Sequence, residues 1–338
     1  MALLYDAREV DRKVLAMLRI LSGVEGPLGA RLIARELEQG GINLKERAVR
    51  YHLKLMDGRG LTRLWGRNGR VITPQGHEEL QNAMVADKVG LVSVRIEHLA
   101  FRTTFEPHTR RGLVPVNISF IPKEEFFPAL EAMAPVFKAG LAVSERVAVA
   151  GEGERLGAIA VPRGKIGLAT ICSIIVNGVL LKAGIAVETR FGGILQIKGG
   201  RPLRFLELIS YSGSSLNPSE VFIQGRMTKV GGAVKGEGII LANFREVPAP
   251  CHREAEQLIQ ELKKAGIDGA LAMGGPNEAV CEIPVAVGRV GLVLPGGLNP
   301  VAAAAEAGIE AENQAMATII DYSQLRSFRD LLPPLLSP

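Results

Sequence analysis

The segment NLKERAVRYHLKLMDG, from Asn43 to Gly58, predicts a short amphipathic helix with one basic face. Asn43 with Glu46 three residues later resembles a capping box, and Gly58 is a plausible end for the helix. At 3.6 residues per turn, the residues expected on the buried face are Ala48, His52, Leu53 and Met56. The residues expected to face an acidic partner are Lys45, Arg47, Arg50, Tyr51 and Lys54.

The surrounding sequence predicts a winged helix-turn-helix built around this helix. Two helices with apolar faces precede it. The run LTRLWGRNGRVI (Leu61–Ile72) follows as two strand-like segments joined by an Asn-Gly turn, and Thr73-Pro74 starts a further helix. Such units place the third helix in the major groove of DNA, while the wing contacts phosphates or the minor groove. The wing residues expected to contact DNA are Arg63, Arg67 and Arg70.

Positive charge is concentrated in this part of a chain whose net charge is +5. Residues 42–72 hold eight Lys and Arg against two Asp and Glu, whereas residues 91–338 are nearly balanced, at 25 against 24. Phosphate neutralisation requires such a cluster. The alternatives are a basic face that only contacts solvent, and a winged helix that binds protein or RNA.

Composition and length limit the remaining possibilities. A chain of 338 residues with 47% hydrophobic residues can form two or three domains with real cores. Cys172, Cys251 and Cys281 lack a C-x-x-C spacing and are expected to be free thiols in the cytoplasm. The charged N-terminus does not resemble a signal peptide. The apolar run Ile166–Leu181 is short for a membrane span and predicts a buried strand followed by a buried helix, so no membrane partner is expected.

The rest of the chain contains an internal duplication. At an offset of 124 residues, the segments Ile159–Glu188 and Ile283–Glu312 share nine identities in thirty positions. Both copies, about 114–197 and 238–321, show the same predicted order of strands and helices. We therefore predict an α/β or α+β protein: a winged helix-turn-helix at 1–90, then a duplicated mixed α/β domain at 91–338 with pseudo-twofold character.

Three motifs carry a resemblance to a known family. They are GVLLKAGI (Gly178–Ile185), FGGILQI (Phe191–Ile197) and FLELISYSGSSLNPSEVFI (Phe205–Ile223). With the winged helix, they make the chain resemble the archaeal NrpR nitrogen-regulation repressors across nearly its whole length. The resemblance implies a homodimeric repressor that binds double-stranded, inverted-repeat operator DNA and controls nitrogen-assimilation genes. It also implies 2-oxoglutarate as the effector that weakens DNA binding, with no other cofactor.

A dicarboxylate effector needs cationic or amide donors for its two ends. The Ser-rich loop after Phe205–Ser210 offers hydroxyls and backbone amides, and Asn217-Pro218 predicts a helix start nearby. The candidate effector contacts are Ser173, Asn177, Arg190, Arg204, Tyr211, Ser212, Ser214 and Ser215. Each of them also has an ordinary alternative role in capping, turns or solvent contact. A ligand in the cleft between the two copies is a further possibility.

Two other functions are consistent with the sequence. The duplicated domain could be an enzyme, although no nucleophile–base set or metal-ligand spacing is visible and the five histidines are scattered. The winged helix could instead bind another regulator. Substitution of Arg47 and Arg50 distinguishes these functions, because only a DNA-binding protein loses salt-dependent DNA affinity.

Overall fold

A computed structural model describes residues 13–24, 26–66, 68–81 and 91–332. The chain divides into two compact units, residues 1–89 and 90–338. Wing residue Arg67, and the predicted continuation of the helix after Pro74 towards Lys88, lie outside the described residues.

The N-terminal unit has the order of helices and strands expected of a winged helix. Its elements are α1 (residues 13–22), α2 (Ala30–Gln39), α3 (Glu46–Gly58), β1 (Thr62–Leu64), β2 (Arg70–Ile72) and α4 (Pro74–Gln81). β1 and β2 pair in antiparallel register, and Leu28 forms a bridge to Arg70 beside them. The wing is therefore a hairpin supported by a third short segment of chain.

The apolar faces of the three helices form one core under the wing. Met17, Leu18, Ile33 and Leu53 are completely buried in it. Thr73 caps α4, because its hydroxyl accepts a hydrogen bond from the Gly76 amide at 3.0 Å, as predicted.

One sequence prediction at α3 is wrong. The N-cap residue is Lys45 rather than Asn43, and none of the described side chains caps this helix end. α3 does end at Gly58, but the nearby residue with positive φ is Gly60, at 73°. The core therefore fixes the start of α3 without a capping box.

The C-terminal unit contains helices and strands in alternation. Its helices are α5 (Leu91–Arg102), α6 (Phe126–Lys138), α7 (Ile174–Lys182), α8 (Pro218–Gln224), α9 (Val230–Val234), α10 (His252–Lys264) and α11 (Asn299–Glu306). Its strands are β3 (Leu113–Pro122), β4 (Arg146–Ala150), β5 (Arg155–Leu156), β6 (Ile159–Ala160), β7 (Lys165–Ile171), β8 (Glu188–Lys198), β9 (Arg201–Ser210), β10 (Glu237–Pro248), β11 (Ala272–Met273), β12 (Arg289–Pro295), β13 (Glu312–Asp321) and β14 (Arg326–Ser327).

Two five-stranded antiparallel sheets organise this unit. Their strand orders are β13-β3-β7-β4-β14 and β11-β12-β10-β8-β9. The two copies of the duplication correspond strand for strand, with β3, β7 and β4 matching β10, β12 and β11. Their closing strands are exchanged, because β8 of the first copy pairs with β10 and β13 of the second copy pairs with β3. The fold is the predicted mixed α/β duplication, with each copy completing the other's sheet.

The helices cover the sheets in two cores, and each core draws on both sheets. One core packs α6 and α11 against residues such as Leu168 and Leu195. The other packs α7 and α10 against residues such as Ile118 and Leu292. The run Ile166–Leu181 is the buried strand β7 followed by the buried helix α7, as predicted.

Candidate functional site

The basic face of α3 lies in solvent. Its exposed residues are Lys45, Arg47, Arg50, Tyr51 and Lys54, while Val49, His52, Leu53 and Met56 on the opposite face are buried. Ala48, expected among them, is only half-buried. Arg50 is paired with Glu46 at 2.5 Å, one turn earlier on α3, and both side chains are open to water. An exposed pair of this kind is weak, so a phosphate can replace Glu46 as the partner of Arg50.

The predicted wing arginines have different surroundings. Arg63 is exposed, and its guanidinium lies 5.4 Å from the ring of Trp65. Arg70 is instead held by Asp57 of α3, with its Nε at 2.7 Å from a carboxylate oxygen, and little of its side chain reaches solvent. Arg70 therefore fastens the wing to α3, whereas Arg63 is available for a nucleic acid.

The C-terminal unit encloses a small polar cavity of about 20 Å³, which is room for about one water molecule. Its polar lining comes from both copies and from the segment between them: Asn117, Cys172, Ser173, Tyr211, Asn217, Ser219, Asn243 and Arg245. Ile96 of α5 closes one part of the wall. A wider cleft of about 490 Å³ lies next to the cavity. Ile96 lines both spaces, and Asn177, which lines the cleft, accepts a hydrogen bond from Arg245 of the cavity.

Arg245 is the most unusual residue of this cavity, because its side chain is only 1% exposed. Its Nε donates to Asn177 Oδ1 at 3.1 Å, and its Nη1 donates to the Phe244 carbonyl at 3.2 Å. Within the described part of the chain, no carboxylate pairs with Arg245. The neighbouring Glu246 lies by Arg190 instead. Burial lowers the pKa of the Arg245 guanidinium, although Tyr211 and Cys172 oppose that effect. A buried cation without a counter-ion is costly, and a bound anion relieves that cost.

A chain of hydrogen bonds positions the other polar groups of the cavity. The Tyr211 hydroxyl donates to Asn243 Oδ1 at 2.5 Å, and Asn243 Nδ2 donates to Ser173 Oγ at 3.2 Å. The Arg245 guanidinium centre lies 5.4 Å from the Tyr211 ring. Gly192 makes room for Tyr211, because a Cβ at Gly192 would come within 2.8 Å of the tyrosine hydroxyl. Gly192 belongs to the FGGILQI motif, which thus has a role at this cavity.

The cavity lies where the two copies of the duplication meet. Asn117 and Asn243 occupy equivalent positions, 126 residues apart, as do Ser173 and Gly297 at 124. Arg245 breaks this symmetry, since the equivalent position in β3 holds the buried Ser119. The cavity therefore has a cation from one copy only.

Three helix N-termini line the same cavity. Ser173 and Ile174 begin α7, Gly297 and Leu298 precede α11, and Asn217 caps α8 by accepting from the Ser219 amide at 2.9 Å. Helix N-termini carry partial positive charge and favour anions. Met316, which also lines the cavity, lies in a bulge of β13 at φ 53°, a strained conformation of the kind that clusters at binding sites.

The structure brings only part of the predicted effector set to the cavity. Ser173 and Tyr211 line it, and Asn177 orients Arg245. Arg190 lies by Glu188 and the buried Glu246, and Arg204 donates to Gln196 on the neighbouring strand. The loop serines do not line the cavity: Ser212 borders the wider cleft, Ser214 bonds the Leu216 carbonyl, and Ser215 is exposed.

Sequence reasoning missed Arg245 and Asn243, because β10 resembles an ordinary buried strand. A signal was present: Asn243 and Arg245 are two residues apart, and so lie on one face of an otherwise apolar strand. When the sequences of the two copies are aligned, Asn243 also matches Asn117.

Comparison with known proteins agrees with this architecture. A model of the NrpR regulatory domains 1 and 2 matches residues 89–327, and the winged-helix domain of Ribonuclease R matches residues 15–80. The chain belongs to the NrpR family of nitrogen regulators. Among relatives, the global nitrogen regulator NrpRI of Methanosarcina mazei is 40% identical over 319 residues, which is 94% of this chain and 98% of that protein.

Two further relatives are informative. The global nitrogen regulator NrpR of Methanocaldococcus jannaschii is 33% identical over 95% of this chain, which spans 56% of that longer protein. A crystal structure of a nitrogen repressor-like protein from Methanococcus jannaschii has a TM-score of 0.58 at 31% identity, covering 71% of this chain and 98% of that one. In the part of the chain that the structure describes, no helix is long and apolar enough to cross a bilayer.

Proposed function

We propose that this protein is a transcriptional repressor of nitrogen-assimilation genes. It binds an inverted-repeat operator as a homodimer, with one α3 helix in each half-site. 2-Oxoglutarate binds the polar cavity of the C-terminal unit and weakens DNA binding.

The exposed basic face of α3 supports the DNA-binding part of this proposal. Four cations and one tyrosine share that face, none of them is needed by the core, and Arg63 adds a cation on the wing. A positively charged helix beside a basic wing is the arrangement with which winged helices contact phosphates and base edges.

Arg245 is the single observation that carries the effector assignment. Its buried charge, the hydroxyls of Ser173 and Tyr211, and three helix N-termini together suit a small anion that contains carboxylates. A dicarboxylate has one group for the guanidinium and a second for the helix N-termini. This donor set accepts 2-oxoglutarate and disfavours cations and apolar ligands.

The size of the cavity suggests how binding changes the protein. A space for about one water molecule cannot hold a five-carbon acid unless its wall moves. Ile96 of α5 forms part of that wall, and Ser93 on the same helix donates to the Tyr211 carbonyl at 2.9 Å. α5 is the first helix of the C-terminal unit in the described part of the chain. Displacement of α5 is therefore our mechanism for coupling the effector to DNA binding.

The test is fluorescence anisotropy on DNA from upstream of nitrogen-assimilation genes, with and without 2-oxoglutarate, for the wild type and Arg245→Met. Succinate and glutamate serve as ligand controls. We expect specific binding that 2-oxoglutarate weakens about 5- to 150-fold in the wild type, the range of typical coupling energies, and no such effect in the variant. Specific binding that ignores the acid in both proteins would refute the effector. Absence of specific binding would refute the repressor.

The enzyme alternative has less support, since the curated relatives carry the names of regulators.

A further inference from the structure

Strand β9 forms the outer edge of its sheet. It is hydrogen-bonded to β8 on one side, and among the described residues no strand pairs with its other side. Phe205 and Ile209 point towards the core, where Phe205 packs edge-on against Phe191 at 5.3 Å. The remaining side chains of this ten-residue strand are mostly open to solvent.

The solvent-exposed part of β9 is unusually apolar. Leu203, Leu206 and Leu208 are 40%, 39% and 45% exposed. Edge strands are usually protected by charges, proline or bulges that turn the edge away from partners. β9 does contain two irregularities in its pairing with β8, but the residues left without a β8 partner are Leu203 and Leu206. The bulges thus present leucine side chains to solvent, which is unfavourable unless another surface covers them.

The charges on β9 indicate what covers it. In LRFLEL (Leu203–Leu208), Arg204 and Glu207 are placed symmetrically about the midpoint between Phe205 and Leu206. A second copy of the strand, running antiparallel about that midpoint, brings Arg204 against Glu207 of the partner subunit, and the reverse. Arg204 and Glu207 lie on one face of β9, because they pair with Gln196 and Ile194, two residues apart on β8.

Both charges are available for this role. Arg204 donates to Gln196 Oε1 at 3.1 Å, and in the described part of the chain it pairs with no carboxylate. Glu207 pairs with no cation there, and both side chains are exposed. An arrangement that is its own complement is what a twofold interface requires.

We propose that the free edge of β9, with Leu203, Arg204, Leu206 and Glu207, is the surface through which two copies of this chain associate. The leucines form the apolar centre, and the two reciprocal Arg–Glu pairs fix the antiparallel direction. The inference rests on the homodimer of the proposed function and names the surface that forms it.

The test uses the full chain, analysed by sedimentation velocity over a dilution series. Arg204→Glu places two acids opposite each other at both contacts, and Glu207→Arg places two cations there. Each variant alone is expected to dissociate at about 10- to 100-fold higher concentration than the wild type, because like charges face each other. Arg163→Glu makes the same charge change at a side chain that is 96% exposed and far from β9 in sequence, and should leave association unchanged.

Mixing the two variants provides the decisive measurement. In the mixed dimer every contact again joins an acid with a cation, so the equimolar mixture should recover wild-type association while neither variant does so alone. The Leu206→Glu variant should fail to associate, whether it is alone or mixed with either charge variant. A dimeric wild type whose dissociation is unchanged in both charge variants refutes this surface but leaves the homodimer intact. A monomeric wild type refutes the homodimer itself.

Discussion

At the scale of the residue, Arg245 has the features of a side chain kept for binding rather than for stability. An uncompensated buried cation costs free energy, and an apolar side chain of similar length removes that cost. We therefore expect Arg245→Met to leave the melting temperature unchanged or to raise it by ~2–4 °C per kcal/mol gained. The same variant should lose the stabilisation that 2-oxoglutarate gives the wild type, ~2.7 kcal/mol at a hundredfold excess over Kd. Thermal unfolding followed by circular dichroism measures both quantities.

Arg190→Met is the matched control for that experiment. Arg190 lies 3.5 Å from the completely buried carboxylate of Glu246 and does not line the cavity. Its loss should cost roughly 1–3 kcal/mol, because a buried charge is left without its partly exposed partner, and the response to 2-oxoglutarate should remain. The opposite pattern in the two variants would move the effector site from Arg245 to Arg190.

His52 makes the winged-helix unit sensitive to acid. Its side chain is buried on α3, and its Nδ1 has no hydrogen-bond partner among the described residues. Burial, with a smaller effect from Lys13, lowers the pKa of the imidazole. The unfolded chain therefore binds the proton first. The free energy of unfolding of the winged-helix unit therefore falls as the pH drops below about 6.5, the pKa of His52 in the unfolded chain. The loss is at most ~1.4 kcal/mol per pH unit and stops once the pH is below the lower pKa of the folded state.

Trp65, the single tryptophan of the chain, reports on this unit, because it lies on the wing. Urea unfolding followed by tryptophan fluorescence at a series of pH values should show the acid-induced loss in the wild type and a smaller loss in His52→Leu. Equal pH dependence in both proteins would assign the acid sensitivity to other groups.

At the scale of the element, the basic face of α3 should act through phosphates and bases. Replacement of Arg47 and Arg50 by alanine removes two cations that the core does not use, so stability should change little. If both cations contact phosphates, the slope of log affinity against log salt should fall in magnitude by about 1.8. Anisotropy titrations at several salt concentrations give the slope, with Arg163→Ala as the control. An unchanged slope would contradict phosphate contact at these positions.

The wing offers a pair of arginines with opposite expected roles. Arg63→Ala removes an exposed cation and should weaken DNA binding without changing stability. Arg70→Ala breaks a partly buried pair with Asp57 and should destabilise the unit by about 1–3 kcal/mol. Urea titrations followed by Trp65 fluorescence distinguish them. Equal stability of the two variants would show that Asp57 does not hold the wing.

At the scale of the whole molecule, the exchange of closing strands makes the two copies one cooperative body. Because β8 completes the sheet of the second copy and β13 that of the first, neither copy can unfold while the other keeps its sheet. Leu195→Ala in β8 and Ile118→Ala in β3 lie in different sheets, and each should cost ~2–5 kcal/mol. Both should lower the same single transition in calorimetry. Two separate transitions, each shifted by one variant only, would contradict this coupling.

Particular residues show how far sequence reasoning reaches. The basic face of α3 was correct because helical periodicity separates core from solvent, whereas the Asn43 cap was wrong because packing can start a helix without one. Tyr211 belongs to the predicted effector set through the Phe205–Ile223 motif, and Ser173 through its place at the start of the small-residue helix α7. Arg204 was placed there by its charge alone, and it lies on an exposed strand.

The sequence by itself determined the local patterns: the winged-helix order, the duplication, and the buried run from Ile166 to Leu181. These depend on period, composition and spacing along the chain, which local physics converts into helices and strands. Only the tertiary structure decided that the closing strands exchange, that Asn117 meets Asn243 at one cavity, and that Arg245 is buried there with no carboxylate of the described residues beside it. Such features depend on which distant segments become neighbours, and burial, which changes the energy of a charge, exists only after they have packed.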